Sequence, residues 1–244
     1  MTLLELRTLC RKKLGDANAA FWTNDELNTY INDGARDLSF RTKCLKDNGY
    51  LSTVSCSQNS TSAGSREWTL TDNFTNIYSV NDVYFLRDGT DWTKMIPSSR
   101  DDLNEMRPGW MSTVGYTNTA GTTTYYNYDD QASVPQYYYW SREEDVFGVE
   151  PPPDDDNAGS NYIRVYYSKA HADVTDDGAS PTIPEPLQQA IVNYVSAVGF
   201  EDRGWGDRAN DQWNKYFQRI KDYTIETGRE RDDDEIIMKN YRSM

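Results

Sequence analysis

The feature that most restricts this chain is a change of periodicity that happens twice. Apolar residues recur at helical spacing near both ends, whereas the long middle follows the grammar of strands and turns. Leu3, Leu6, Cys10 and Leu14 share one helix face. Thr2, with Glu5 three residues on, is a capping-box pattern in which each side chain satisfies a free backbone N–H, and Gly15 stops the run. A second capping box, Thr23 with Glu26, opens a stripe of Leu27, Ile31, Ala35, Leu38 and Leu45. Unbroken from Thr23 to Leu45, this helix would be about 35 Å long. Phe21 and Trp22 precede the cap, placed to staple it to the first turn.

Between Asn48 and Pro181 helical spacing vanishes, and Ser, Thr, Asn, Gly and aromatics take over. Tyr50 to Cys56, Arg66 to Leu70, Ile77 to Leu86, Gln136 to Trp140 and Tyr162 to Ser168 read as strands. Arg87-Asp88-Gly89-Thr90 reads as a hairpin turn into Trp92 to Ile96. Ser57 to Ser65 and Asn118 to Asn127 read as exposed loops or hairpin tips, and Pro151-Pro152-Pro153-Asp154-Asp155-Asp156 as a stiff solvated loop. Helices return at Pro184 and Pro186, which suit a first turn, with Leu187, Ala190, Ile191, Tyr194, Val195 and Val198 at helical spacing. Gly204-Trp205-Gly206 breaks the chain. A fourth helix over 207–227 carries Ala209, Trp213, Tyr216, Phe217, Ile220 and Tyr223, and Gly228 ends it.

Helical stripes must be buried against one another. The expected fold is therefore α+β. A four-helix bundle forms from the N- and C-terminal helices (1–48 and 183–228), with a β-rich insertion (49–182) between helices 2 and 3. An extended tail (229–244) follows, in which the charged run to Glu235 precedes the apolar Ile236, Ile237, Met238 and Tyr241. Too short for a core of its own, that tail either frays or docks.

Charge and aromatic content bound what such a fold can do. The 244 residues include 39 acidic and 25 basic side chains, a net charge of −14. The acid is concentrated between Glu143 and Pro186. Affinity for a phosphate backbone comes from Lys and Arg releasing counterions, so this chain is not built to grip DNA or an anionic membrane. Its 18 Tyr and 7 Trp suit either a Tyr-rich sheet core or a surface that meets other proteins. Cys10, Cys44 and Cys56 show no disulfide or zinc spacing, and Cys10 and Cys44 read as small core hydrophobes. With no signal peptide and no apolar run near the roughly 20 residues of a membrane span, synthesis in a reducing cytoplasm is expected.

Catalytic signatures are missing too. His171 is the one histidine, in a predicted loop without a nucleophile motif, and reads as a surface residue. Gly204-Trp205-Gly206 lacks a following GK[ST] and reads as a helix–helix turn. Asp154 to Asp156 and Asp232 to Glu235 lack the alternating ligands of a calcium loop and read as solvated runs. No enzyme activity, cofactor or metal is expected.

The order of features resembles the head-to-tail connector, or adaptor, proteins of tailed bacteriophages. Leu6 to Leu14 with Gly15-Asp16, then Trp22-Thr23-Asn24-Asp25-Glu26-Leu27, is similar to the family's opening helix, loop and second helix. Leu103 to Trp110, followed by Pro135-Gln136-Tyr137-Tyr138-Tyr139, resembles its mid-chain pattern. Ile163-Arg164-Val165-Tyr166-Tyr167 with Ile183-Pro184-Glu185 resembles the strand leading to the third helix, and Ala209, Trp213 and Tyr216 the fourth. The Ser57 to Ser65 and Asn118 to Asn127 loops and the triple proline depart from the pattern.

The resemblance implies a virion structural protein at the head–tail junction: a ring of twelve copies beneath the portal protein, offering a platform to tail proteins, with the genome passing through its lumen. It also implies that the C-terminal segment reaches the portal, which assigns portal binding to Ile236, Ile237, Met238 and Tyr241. Two other readings remain. A tail tube or nozzle subunit would be β-dominated from its start, and a carbohydrate- or receptor-binding module would work without the helical ends.

Overall fold

Both capping boxes close in the computed structural model, which describes residues 1–51, 53–54, 67–87, 89–106, 113–117, 123–127, 134–151 and 159–227. Helix α1 (Leu3–Leu14) begins where Thr2 Oγ1 accepts from the Glu5 N–H at 3.2 Å and the Thr2 N–H donates to Glu5 Oε2 at 2.9 Å. It ends on Gly15 at φ +72°, a left-handed conformation that costs glycine little. Helix α2 (Asn24–Thr42) repeats the device with Thr23 and Glu26. It stops short of Leu45 because Lys43 turns left-handed at φ +48°.

The middle of the chain runs through β1 (Lys46–Tyr50), β2 (Thr53–Val54), β3 (Glu67–Thr69), the short helix α3 (Leu70–Asn73), β4 (Ile77–Arg87), β5 (Asp91–Lys94) and β6 (Ile96–Pro97). Then come α4 (Arg100–Met106), β7 (Thr113–Thr117), β8 (Thr123–Asn127), β9 (Tyr137–Ser141), β10 (Val146–Glu150), β11 (Gly159–Ser160) and β12 (Ile163–Lys169). β8 occupies part of the stretch expected to be an exposed loop or hairpin tip; it pairs antiparallel with β7. One sheet has the order β1-β12-β4-β5, all antiparallel; the other is β3-β10-β9-β6, with β6 parallel to β9.

Strand alternation gives the two sheets inner faces that share one core. Val83, Phe85, Ile163 and Val165 from the first sheet meet Trp68, Tyr138, Phe147 and Val149 from the second. On the second sheet a Cβ at Gly148 would lie 2.0 Å from the Tyr139 ring, its cross-strand partner, so only glycine fits there. Tyr139 donates to Glu67 at 2.6 Å, and Arg100 of α4 bridges Glu67 and Glu144.

Helices α5 (Glu185–Asp202) and α6 (Gly206–Glu226) complete the chain. Two compact units result: Met1–Leu45 with the chain from Ala170 onward, and Lys46–Lys169. In the helical unit, α5 is apolar almost all round, burying Leu187, Ile191, Val192, Val195 and Phe200 together with Asn193 and Ser196, as a central helix must. It packs on α1, α2 and α6. By contrast α6 buries one face, Ala209, Gln212, Tyr216 and Ile220. Tyr216 is fully buried and donates to Asp37, which also pairs with Arg41 at 2.7 Å.

The expected four-helix bundle with one β-rich insertion is thereby overturned. The fold is a mixed α+β arrangement with six helices and two four-stranded sheets among the described residues. A bundle needs each helix to be a similar stave. Here α5 is a hub, and α1 and α6 share no packing like that either makes with α5. The middle segment also has its own two-sheet core and two short helices, so it is a globular unit in its own right and not an appendage of the helices.

Candidate interaction surfaces

A buried carboxylate organises one end of the helical unit. Asp16, just past α1, has a side chain 1% exposed. It accepts backbone N–H groups from Ala20 (2.8 Å), Phe21 (3.2 Å) and Trp22 (3.2 Å), and pairs with Arg11 at 3.0 Å. Burial alone would raise its pKa. The donors from Trp22, Ala20 and Phe21, with Arg11, outweigh that and hold it below the usual carboxylate range. Arg11 in turn donates to Trp22 O (3.0 Å) and Asn24 Oδ1 (2.9 Å).

This rigid loop buries Trp22 but leaves Phe21 71% exposed, so Phe21 does not staple α2. Across from it, the α5–α6 turn passes through Gly204 (φ +70°) and lifts Trp205, 40% exposed. Between them sits Arg203. Its guanidinium carbon lies 3.9 Å from the Phe21 ring centroid, 4.3 Å from Trp22 and 4.9 Å from Trp205, while Arg208 covers Trp205 at 4.8 Å. Arg203 Nε and Nη2 are shielded from solvent and reach no acceptor among the described residues. Aromatics and arginine on a preorganised backbone are the chemistry of interface anchors, not of bond making.

A second surface lies on the outer face of the β1-β12-β4-β5 sheet. Register places Tyr50, Arg164, Tyr84 and Lys94 in one row across the strands. Arg164 donates to Asn48 at 2.9 Å and stacks over Tyr166 (4.9 Å) and Tyr50 (5.5 Å), and Tyr50 approaches Trp92 at 6.2 Å. The edge strand β5 is exposed throughout. On the second sheet an open cleft of about 530 Å³ is lined by Pro97, Ser98, Asp102, Glu105, Met106 and Tyr137.

The portal-binding candidates Ile236, Ile237, Met238 and Tyr241 lie outside the described residues, as do Asp154 to Asp156 and Asp232 to Glu235. Among the described residues no group of His, Cys, Asp and Glu could hold a metal ion, and no helix is long and apolar enough to cross a membrane. His171 is the clear correction: expected at the surface, it is 3% exposed. Its N–H donates to Ser39 Oγ, and Nδ1 lies 3.1 Å from Thr182 Oγ1. It belongs to the packing of the helical unit.

The family model described as SU10 adaptor protein matches residues 1–237. The chain belongs to the SU10 adaptor family. No curated protein matches it. As an SU10 adaptor it is a phage structural protein, a virion component that associates with other phage structural proteins. In this adaptor the aromatic contacts of Arg203, Arg208 and the Arg164 row are not marked by any motif in the sequence. Their only signal is aromatic residues flanking arginines, and contact between residues 21 and 203 has no counterpart in linear spacing.

Proposed function

We propose that this SU10 adaptor forms a ring, of twelve copies, beneath the portal at the head–tail junction, connecting capsid to tail proteins and letting the genome pass. The observation that carries this reading is the family match over residues 1–237, nearly the whole chain. The role is structural and needs no cofactor. A ring requires each copy to present two different faces to its neighbours, and the exposed aromatic–arginine surfaces suit such contacts. The helical unit, Met1–Leu45 with the chain from Ala170 onward, builds the ring wall, and Lys46–Lys169 is a separate β-rich unit. The net charge of −14 gives a lumen that repels DNA and keeps it from sticking.

In this reading the segment 229–244 docks on the portal through Ile236, Ile237, Met238 and Tyr241. The test is electron microscopy of the protein mixed with portal rings of its own phage. The expected result is portal rings carrying an extra layer of density, absent when 229–244 is deleted. Portal rings that remain bare with the full chain would refute the function; bare rings with the full chain only and not with the truncation are not expected on any version of it. Rings decorated equally by both chains would refute the tail assignment.

A further inference from the structure

We propose that the groove between α1 and α6 seats the outer face of α2 from a second copy, so that neighbours join head to tail through opposite charges. The inference rests on the ring reading, for which it names the contact between copies.

The groove follows from how the helical unit packs. Helix α2 packs against α1, α5 and α6, whereas α1 and α6 meet α5 without closing on each other to a like extent. One side of α5 is therefore covered by α2, and another lies between α1 and α6. On α6 the aromatic side faces α2, where Arg41 covers Phe217 at 5.6 Å. Lys215 and Arg219, one turn apart and both exposed, stand on the side away from it. The floor of the groove is polar: Asn193 of α5 accepts from Lys13 Nζ of α1 at 2.5 Å. Burial lowers the pKa of Lys13, and the charges of Lys215 and Arg219 lower it further, so three cations converge there. Asp211, paired with Lys215 at 2.5 Å, is the carboxylate that opposes them.

The outer face of α2 carries the opposite sign. Glu26, Asp33 and Phe40 follow at intervals of seven, a nearly straight stripe about 21 Å long. Glu26 and Asp33 flank Tyr30, whose hydroxyl donates to Asp202 at 2.9 Å; burial and these three carboxylates raise the Tyr30 pKa. Arg36, paired with Asp33 at 2.9 Å, is the opposing cation. Three carboxylates against one cation thus match three cations against one carboxylate. Phe40, 61% exposed, and the partly buried Leu9, one turn before Lys13, supply apolar area.

Complementarity within one chain makes a second copy the occupant. Each face repels its own kind, so the pairing is between unlike faces, and such heterologous contacts repeat into a ring. The two faces lie on different sides of α5, which leaves both usable by one copy at once.

The experiment mixes isotopically heavy and ordinary full-length chains, with and without portal rings of the same phage. A carbodiimide then joins lysine amines to carboxylates, and peptides that combine heavy and light chains report contacts between copies. Lys215 or Lys13 should be linked to Glu26, Asp33 or Asp202 of the other chain. Arg219→Glu should cut the yield of these links at least fivefold, while Arg219→Lys, which keeps the charge, should leave it within twofold. Arg219 is exposed, so urea midpoints of both variants should match that of the unaltered chain. Mixed links confined to other residues, no mixed links in either sample, or a yield indifferent to Arg219→Glu would overturn the proposal. The two readings fail separately. A layer on the portal without these links sinks the groove contact alone, whereas these links beside portal rings that stay bare sink the portal role alone.

Discussion

At the scale of single residues, burial changes what each polar group does. His171 is enclosed beside Thr182. Desolvation lowers its pKa below the ordinary value, and Arg36 adds to this against the opposing charge of Asp173. The folded protein therefore holds His171 neutral where the unfolded chain takes up a proton. The unfolded state binds more protons in the window between the depressed folded value and about 6.5. Stability should then fall as pH drops below about 6.5, and urea midpoints measured from pH 7.5 to 5 should show it. His171→Asn should flatten that slope, and an unchanged slope would mean that another group is responsible. Asp16 works in a lower window. Its depressed pKa contributes stability above the unfolded carboxylate value of about 3.9, lost as pH falls through the folded one. Cys10 is silent at neutral pH, because burial pushes its thiol up to about 12.

At the scale of elements, local signals and tertiary ones separate cleanly. The starts of α1 and α2 were legible because a capping box is a contract between residues three apart, and both boxes close as read. Thr23→Ala should lower stability by about 1 kcal/mol, measured by urea unfolding, because Glu26 N loses its acceptor at the N-cap. A change below the error of the measurement would mean the box forms without contributing. Strands β4 and β12 were also readable from β-branched and aromatic runs in partial alternation, and β9 from its run of aromatics, which has both Tyr138 and Tyr139 buried. The end of α2 was not, because nothing in Thr42-Lys43-Cys44 announces a left-handed turn. Nor was the position of α5 as hub: a stripe of Leu187, Ile191 and Val195 shows one buried face, while Asn193 and Ser196 are buried by neighbours that a stripe does not reveal.

At the scale of the whole molecule, charge is the property that needs no structure. With 39 acids against 25 bases, the adaptor should show no retention of duplex DNA in gel-shift assays at 0.15 M salt, since too few cations are available to release counterions. Binding at micromolar concentration would overturn this and would point to a local basic surface. The sequence by itself determined the charge, the caps, the helical ends and the strand-rich middle, because each is written in composition or in residues a few positions apart. Only the tertiary structure decided that the middle has a two-sheet core of its own, that α5 is central, that His171 is inside, and that Phe21 meets Arg203. Those outcomes depend on which distant faces remove one another from water, and a contact between residues 21 and 203 is chosen by packing and not by spacing.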